Sequence, residues 1–184
     1  MSSSSEILLK VEDLAVYFPV RKGVFSKIAG YVRAVDGVSF EIQKGQTLSL
    51  VGESGSGKTT TGRAILRLVE ATRGSVKYND QNLIDLDRKK MRSLRKEMQL
   101  IFQDPYGSLN PRMTVASVLS EALSAHRLRP KAQQRDRVLE LLSLVGLPPE
   151  AADRYPNEFS GGQRQRIGVA RALAVEPSLI IADE

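Results

Sequence analysis

A glycine-rich segment constrains what this chain can fold into more than any other feature. Residues Gly52–Thr59 read GESGSGKT and match the pattern G-x-x-x-x-G-K-[ST]. The segment follows a predicted strand, Thr47–Val51, and precedes a predicted helix that begins near Lys58. Backbone N–H groups can converge on anionic oxygens only where side chains do not block the approach, and glycines provide that freedom. The sequence therefore predicts a phosphate-binding loop in strand–loop–helix order.

Two side chains at the end of this segment carry the expected chemistry. The Lys58 ammonium is expected to reach the β- and γ-phosphates of a nucleotide, and the Thr59 hydroxyl to coordinate magnesium. A glycine-rich turn without a ligand is disfavoured, because four fixed positions rarely match by chance. The residues predicted to bind nucleotide here are Gly52, Glu53, Ser54, Gly55, Ser56, Gly57, Lys58, Thr59 and Thr60.

Hydrophobic periodicity predicts an α/β fold around the loop. Strands are predicted at Ile7–Leu14, Val38–Ile42, Thr47–Val51, Ser75–Tyr78, Met98–Phe102 and Leu179–Ala182. Helices are predicted from Lys58 to near Gly74, at Arg88–Lys96, in two stretches after Thr114 and at Gln163–Ala174. Residues 21–33 have no apolar periodicity and predict a long connection or a hairpin, and residues 104–111 are rich in turn formers.

Composition excludes several classes of function. The chain has no cysteine, which rules out disulfides, thiolate metal sites and cysteine nucleophiles. Its apolar stretches are strand-sized, far short of the roughly 20 residues of a membrane-spanning helix, and no apolar signal region follows Met1–Ser5. The net charge of +6 permits binding to phosphates, anionic lipid or nucleic acid. The densest basic run, Arg88–Lys96, is typical of a solvated helix face, so we do not expect binding to nucleic acid. Because the sequence shows neither a membrane span nor a signal region, we expect a cytosolic protein.

A serine and two glycines, Ser160–Gly162, open another predicted helix. Ser160 in this position is typical of a simple helix N-cap. A serine hydroxyl and exposed glycine N–H groups at a positive helix end are also suited to binding a phosphate. The phosphate-binding loop earlier in the chain favours this second interpretation.

An apolar predicted strand, Leu179–Ala182, is followed by Asp183 and Glu184, the form of a Walker B segment. Asp183 is expected to help hold magnesium beside Thr59, and Glu184 to polarise the water that attacks the γ-phosphate. The alternative is a strand followed by a solvated acidic turn.

Together these motifs resemble those of the ABC ATPases, and most closely the ATPase subunits of bacterial dipeptide, oligopeptide and glutathione importers. The resemblance covers essentially the whole chain and is carried by Ala34–Phe40, Gly52–Thr59, Gln103–Arg112 and Tyr155–Phe159. Phe159 departs from the family signature, which has leucine before serine-glycine-glycine-glutamine. The resemblance implies a P-loop NTPase (RecA-like) α/β core with an inserted helical subdomain and the C-terminal part of the core missing. The implied domain ranges are 1–102, 103–165 and 166–184.

The resemblance also implies roles for further residues. In that family the signature, here Ser160, Gly161, Gly162 and Gln163, binds the partner subunit's nucleotide, so that ATP lies sandwiched in a head-to-tail dimer. Gln103 corresponds to the Q-loop glutamine, which contacts magnesium and water. For stacking on adenine, Tyr17 and Phe18 are both available, and the family pattern favours Phe18.

The implied protein hydrolyses ATP with magnesium to energise peptide uptake across the bacterial inner membrane. Its implied partners are a second ABC ATPase subunit, two membrane permease subunits and, indirectly, an extracytoplasmic binding protein. It would lie on the cytoplasmic face of the inner membrane.

The family continues after the position of Glu184 with a D-loop and a switch histidine, which this sequence lacks. The only histidine, His126, falls in the predicted helical lobe and is expected to be a surface residue. We therefore expect a fragment with poor stability in isolation, because a sheet lacking neighbouring strands exposes apolar surface. Two alternatives remain at this point: a nucleotide-binding module without turnover, and a soluble ABC ATPase that acts on nucleic acid.

Overall fold

The computed structural model describes residues 6–23, 26–103, 107, 109–126 and 130–183. The chain divides into two compact units, one ending at Met91 and the other beginning at Arg92. Glu184 and most of the turn-rich stretch 104–108 lie outside the described residues. The three domain ranges inferred from the sequence stay a prediction.

The first unit contains an antiparallel sheet with the strand order β2-β1-β3-β4. The strands are β1 (Ile7–Lys22), β2 (Lys27–Gln43), β3 (Arg73–Tyr78) and β4 (Gln81–Asn82). The strands predicted near Ile7, Val38 and Ser75 are confirmed, and β1 and β2 are longer than predicted. The hairpin alternative for residues 21–33 is correct, because Arg21 pairs with Ile28 and Lys22 with Lys27.

The core of the first unit lies against this sheet. β1 contributes buried Leu9, Val11 and Leu14, each at most 1% exposed, and β3 contributes Val76 and Tyr78. β-branched and aromatic side chains favour such a pleated, half-buried surface. Helix α1 (Lys58–Ile65) adds buried Ala64 and Ile65.

The strand predicted at Thr47–Val51 is not formed. These residues have no ladder partner among the described residues, and Leu48, Leu50 and Val51 are 39%, 43% and 94% exposed. An apolar run of this kind becomes a strand only when neighbouring strands satisfy its backbone and cover its faces. The prediction was wrong because the sequence pattern indicates a buried strand but does not supply its neighbours.

Helix α1 also ends earlier than predicted, at Ile65 rather than near Gly74. Arg67 has a left-handed backbone, with φ of 51°, which a continuing helix does not allow. Its guanidinium donates to the carbonyl oxygens of Leu83 at 2.7 Å and Leu86 at 2.6 Å. These tertiary hydrogen bonds override the helical periodicity, and Leu68 is left 47% exposed.

The second unit combines a parallel strand pair with a helical lobe. The pair is β5 (Met98–Ile101) and β6 (Leu179–Ala182), and both strands were predicted. The helices are α3 (Val115–Ala125), α4 (Lys131–Leu144) and α5 (Gly161–Leu173), and short 3-10 turns lie at Pro149–Asp153 and Pro156–Glu158. Helix α2 (Arg88–Leu94) contains the chain position at which the first unit ends and the second begins.

The helical lobe has its own apolar core. Fully buried side chains from all three helices meet there: Val115, Leu119, Val138, Leu141, Leu142 and Ile167. Thr114 caps α3 by accepting a hydrogen bond from the Ser117 N–H, and Gly146, with φ of 68°, follows α4 as predicted. His126, at the end of α3, is partly exposed rather than fully on the surface. Among the described helices, none is long and apolar enough to cross a membrane.

Candidate nucleotide-binding site

The glycine-rich loop of the first unit curls around its own lysine. Lys58 is the first residue of α1, and its ammonium donates to the carbonyl oxygens of Gly52 and Glu53, both at 2.8 Å. Ser56 Oγ lies 3.4 Å from the same nitrogen. The Lys58 ammonium is therefore held in place by the loop itself. From this position its positive charge can attract phosphate oxygens.

Gly57 occupies a position that no other residue fits. It is the N-cap of α1, with a φ of 95°, and a Cβ built there would lie 2.1 Å from the carbonyl oxygen of Ala34 in β2. Atoms this close cannot coexist, and a left-handed backbone is also costly for residues with a side chain. The loop is thus packed directly on β2, which sets the start of α1.

The N-terminus of α1 is built without a local anion. Gly57 has no side chain to cap the helix, and the first turn contains no acidic residue. Unpaired N–H groups and the helix dipole make such an end attractive to a phosphate. Thr59 and Thr60 are half-buried in this first turn. Thr61 faces inward, and its hydroxyl donates to the Gly57 carbonyl oxygen at 2.9 Å.

A polar network holds the β2 segment that touches the loop. The Tyr17 hydroxyl donates to the Asp36 carboxylate, and Arg73 donates to Asp36 at 3.2 Å and to Asp13. Arg33 reaches the same carboxylate at 3.3 Å. Hydrogen bonds from Tyr17 and then Arg73 lower the pKa of Asp36 below its usual range. Local sequence patterns do not predict this network, because its members lie far apart along the chain and are brought together by the register of the sheet.

Of the two neighbouring aromatic residues on β1, Tyr17 takes part in this network and Phe18 does not. Tyr17 is engaged by Asp36, and the Arg33 guanidinium lies 5.4 Å from the centre of its ring. Phe18 points to the other face of the strand and is 42% exposed. Phe18 is thus the less encumbered of the two candidates for stacking on a base, which stays a prediction.

The second unit places two predicted magnesium ligands at one sheet edge. Gln103 follows β5 by two residues and Asp183 directly follows β6. The strands are parallel, with Ile101 opposite Ala182, and the Asp183 N–H donates to the Ile101 carbonyl oxygen at 3.0 Å. Carboxyl ends of parallel strands are where α/β proteins bind ligands. Glu184, the predicted catalytic carboxylate, lies outside the described residues.

The predicted metal ligands are a hydroxyl, an amide and a carboxylate: Thr59, Gln103 and Asp183. These are hard oxygen donors of the kind that Mg²⁺ prefers, and Mg²⁺ usually takes its other ligands from water and phosphates. No cluster of three or more His, Asp or Glu side chains able to hold a metal occurs among the described residues. Each of these three donors is therefore of a chemical type suited to a magnesium ion that arrives with a nucleotide.

The signature segment forms the N-terminus of α5. Ser160 Oγ accepts from the Gln163 N–H at 3.3 Å, and Gln163 Oε1 accepts from the Ser160 N–H at 3.0 Å. This reciprocal pair is a capping box, so the N-cap interpretation of Ser160 is confirmed. Phe159, which replaces the expected leucine, is 3% exposed and packs in the helical lobe with Arg154 over its ring at 4.5 Å.

The two signature glycines are not packed against other described residues. Gly161 and Gly162 are exposed, and a Cβ at either would meet no atom within 4 Å. Glycine at a helix position disfavours the helix by up to about 1 kcal/mol relative to alanine. Packing among the described residues therefore does not require glycine at either position.

Comparison with known proteins assigns the chain to a family. The family model described as "ABC transporter" matches residues 35–184, which include the glycine-rich loop, the signature segment and the ends of β5 and β6. The chain belongs to the ABC transporter family. The P-loop NTPase fold predicted from the sequence is confirmed.

Curated relatives carry the names of importer ATPases. The chain is 50% identical over 184 residues to "Oligopeptide transport ATP-binding protein AppF" of Bacillus subtilis (strain 168), covering 100% of this chain and 56% of the relative. It is 53% identical over 179 residues to "Glutathione import ATP-binding protein GsiA" of Escherichia coli (strain K12), covering 97% of this chain and 29% of the relative. The chain thus spans little more than half the length of the first of these relatives and less of the second.

A solved ABC structure has the same fold. The ATP-binding cassette MJ0796, solved as a dimer in a post-hydrolysis state bound to ADP and Pi, matches with a TM-score of 0.82 at 30% identity. The match covers 95% of this chain and 73% of that chain.

Proposed function

We propose that this chain binds and hydrolyses ATP as part of the ATPase subunit of an ABC importer that takes up peptides: dipeptides, oligopeptides or glutathione. The observation that carries the proposal is the loop at Gly52–Thr59, which is closed around the Lys58 ammonium and packed on Ala34 through Gly57. Family membership and the names of the curated relatives support the nature of the cargo.

In this proposal the loop binds the triphosphate. Backbone N–H groups of residues 52–60 and the Lys58 ammonium hold the β- and γ-phosphates, so negative charge that develops on the γ-phosphoryl oxygens is stabilised in place. Lys58 exchanges its contacts with the Gly52 and Glu53 carbonyl oxygens for the more favourable charge-assisted contacts with phosphate. The ring of Phe18 stacks on the adenine.

The carboxyl edge of β5 and β6 supplies the hydrolytic residues. Asp183 and Gln103, together with Thr59, would hold magnesium, which when bound neutralises phosphate charge. Glu184 accepts a proton from the water that attacks the γ-phosphorus, and Gln103 orients that water. Gln103 and Asp183 closely follow strand ends, which restrict the freedom of their backbones and so favour a reactive geometry.

The signature acts on the nucleotide of a second copy or homologous subunit. Gly161 and Gly162 leave the α5 N-terminus open, and the Ser160 hydroxyl lies beside it, so a γ-phosphate can approach the backbone closely. This accounts for two glycines that packing among the described residues does not require. A head-to-tail dimer then places the Ser160–Gln163 segment of one subunit on the ATP held by the other.

The remaining partners follow from importer function. Two permease subunits would anchor the ATPase dimer on the cytoplasmic face of the inner membrane, and an extracytoplasmic binding protein would deliver the peptide. No nucleic-acid partner is included, since the basic run of α2 is exposed as on an ordinary solvated helix.

The proposal is tested by ATP binding and phosphate release in the full-length protein assembled with its permeases. Lys58→Ala is expected to weaken ATP binding about 10- to 100-fold, because a charged hydrogen-bond partner of the phosphates is lost. Lys44→Ala is the matched control, since it removes one exposed lysine paired only with Glu6. Glu184→Gln is expected to keep ATP binding and abolish phosphate release. Unchanged phosphate release in Glu184→Gln would reject the assigned mechanism.

A further inference from the structure

The β1–β2 ladder extends beyond the rest of its sheet as a two-stranded arm. β3 pairs with β1 only as far as Ala15, whereas β1 and β2 pair from Tyr17 opposite Arg33 to Lys22 opposite Lys27. We call residues 17–22 and 27–33 the hairpin arm. At about 3.3 Å per residue it is roughly 17 Å long. Two strands without a third element against them are marginally stable in water, so a covering partner would stabilise the arm.

The arm exposes apolar side chains on both faces. The fractional exposures are 36% for Val20, 53% for Ile28, 59% for Tyr31 and 55% for Val32. Ile28 pairs with Arg21 and Tyr31 with Pro19, so these two side chains share one face of the arm. Val20 and Val32 lie on the other face, because the register shifts between Val20 and Arg21 and so interrupts simple alternation along β2. Phe18, at the base of the arm, is assigned to the nucleotide site and is therefore not counted among these exposed apolar side chains. Exposed apolar side chains concentrated in this way mark an interaction surface.

The arm also carries positive charge without any negative charge. Arg21, Lys22 and Lys27 are exposed, and no Asp or Glu occurs anywhere in residues 15–35. Elsewhere on the same sheet the cations are paired, as Lys10 is with Glu41 at 3.0 Å and Lys44 with Glu6 at 2.6 Å. Within the part of the chain that the structure describes, these three cations have no acidic partner, whereas Arg33, at the base of the arm, pairs with Asp36 at 3.3 Å.

We propose that the hairpin arm docks on the surface of an anionic lipid bilayer. Clustered Lys and Arg attract acidic headgroups, while adjacent aliphatic and aromatic side chains insert at the boundary of the acyl chains. Nucleic acid would use the cations but would leave Val20, Ile28 and Val32 in water, so it fits the arm less well. Tyr31, with an apolar ring and a polar hydroxyl, is of the type that favours the bilayer interface.

A single tryptophan placed on the arm tests the apolar part of the proposal. The chain contains no tryptophan, so Tyr31→Trp reports on one position, and Tyr155→Trp, 46% exposed in the other unit, is the matched control. Vesicles of phosphatidylcholine mixed with phosphatidylglycerol are added to the full chain. Emission from Tyr31→Trp is expected to shift to the blue while that from Tyr155→Trp does not. Equal behaviour of the two reporters would overturn the proposal.

Charge removal tests the electrostatic part by vesicle co-sedimentation. The triple variant Arg21→Gln, Lys22→Gln, Lys27→Gln is expected to bind the anionic vesicles at least about tenfold more weakly. The control Arg88→Gln, Lys89→Gln, Arg92→Gln removes the same charge from exposed positions of α2 and is expected to bind as the parent does.

A further variant separates lipid from other polyanions. Ile28→Ser with Val32→Ser keeps every charge and is expected to weaken vesicle binding while leaving any binding to duplex DNA unchanged. Equal binding of both triple variants to vesicles, or binding to phosphatidylcholine alone with no gain from the anionic lipid, would overturn the proposal. DNA binding that depends on the arm cations, without vesicle binding, would replace it with a nucleic-acid site.

Discussion

The carbonyl oxygen of Ile101 accepts a hydrogen bond from the Asp183 N–H at 3.0 Å, which ties the residue after β6 to the end of β5. Asp183 and Gln103 therefore leave adjacent parallel strands at the same edge. Residues fixed in this way by a sheet ladder lose little further freedom when they bind a ligand.

Replacing Gly57 is expected to destroy the phosphate-binding loop. Gly57→Ala adds a Cβ 2.1 Å from the Ala34 carbonyl oxygen at a φ of 95°, so we expect a loss of about 2–5 kcal/mol in the free energy of unfolding and loss of ATP binding. Gly45→Ala is the control: its φ is 74° but its Cβ would meet nothing within 4 Å, so about 1 kcal/mol should be lost and ATP binding kept. Urea unfolding and equilibrium ATP binding measure the two effects. Equal effects of the two substitutions would contradict the packing of the loop on β2.

Replacing a signature glycine by alanine is expected to raise the stability of the protein while abolishing its ATPase function. Gly161→Ala and Gly162→Ala meet no neighbour, so each should stabilise α5 by up to about 1 kcal/mol while ATP-dependent dimerisation and turnover are lost. Gly168→Ala, in the same helix and with equally open space, should stabilise without affecting turnover. Thermal unfolding and phosphate release in the assembled transporter test this. Normal turnover in Gly161→Ala and Gly162→Ala would refute the close approach of a partner's nucleotide.

Comparing substitutions at two N-caps of similar geometry tests whether Ser160 only caps its helix or also binds phosphate. Ser160 and Thr114 each accept a hydrogen bond of 3.3 Å from the N–H three residues later. Ser160→Ala and Thr114→Ala should both lose about 1 kcal/mol of stability. Only Ser160→Ala should lower the rate of ATP hydrolysis at saturating ATP. If both variants kept full turnover, Ser160 would be a helix cap and nothing more.

The Asp36 network is expected to give the first unit an acid-sensitive contribution to stability. The pKa of Asp36 is lowered by hydrogen bonds from Tyr17 and Arg73, so its stabilisation is present above the unfolded-state pKa of about 3.9 and is lost as pH falls through the lower folded-state pKa. The difference in unfolding free energy between the parent and Asp36→Asn should therefore shrink between pH 6 and pH 3. Urea titrations at a series of pH values measure it. A difference that is constant over this range would show that the carboxylate charge does not matter.

Much of the site could be predicted because its motifs are local in sequence. The glycine loop, the α5 cap and the carboxylate after β6 each lie within a few consecutive residues, and backbone geometry decides what those residues can do. The Tyr17–Asp36–Arg73 network could not be predicted in this way. Its members come from β1, β2 and β3, and only the register of the sheet brings them together.

The two wrong predictions about the fold also arise from contacts between residues that are distant in sequence. Residues 47–51 have the composition of a buried strand, but a strand forms only against neighbours, and none pairs with this segment in the described part of the chain. The helical pattern after Ile65 is interrupted by Arg67, whose hydrogen bonds to Leu83 and Leu86 come from a part of the chain far along the sequence. Periodicity reports which residues prefer to be buried, and tertiary partners decide whether they are.

The central claim is that the glycine loop and the carboxyl edge of β6 bind one and the same ATP with its magnesium. A double-mutant cycle on the affinity for ATP in the presence of magnesium tests it directly, using Thr59→Ala, Asp183→Ala and the double variant in the full-length protein. If both side chains serve one metal ion, the two losses should be coupled by at least about 1 kcal/mol. Losses that add to within about 0.5 kcal/mol would show that Thr59 and Asp183 act at separate sites and would contradict the claim.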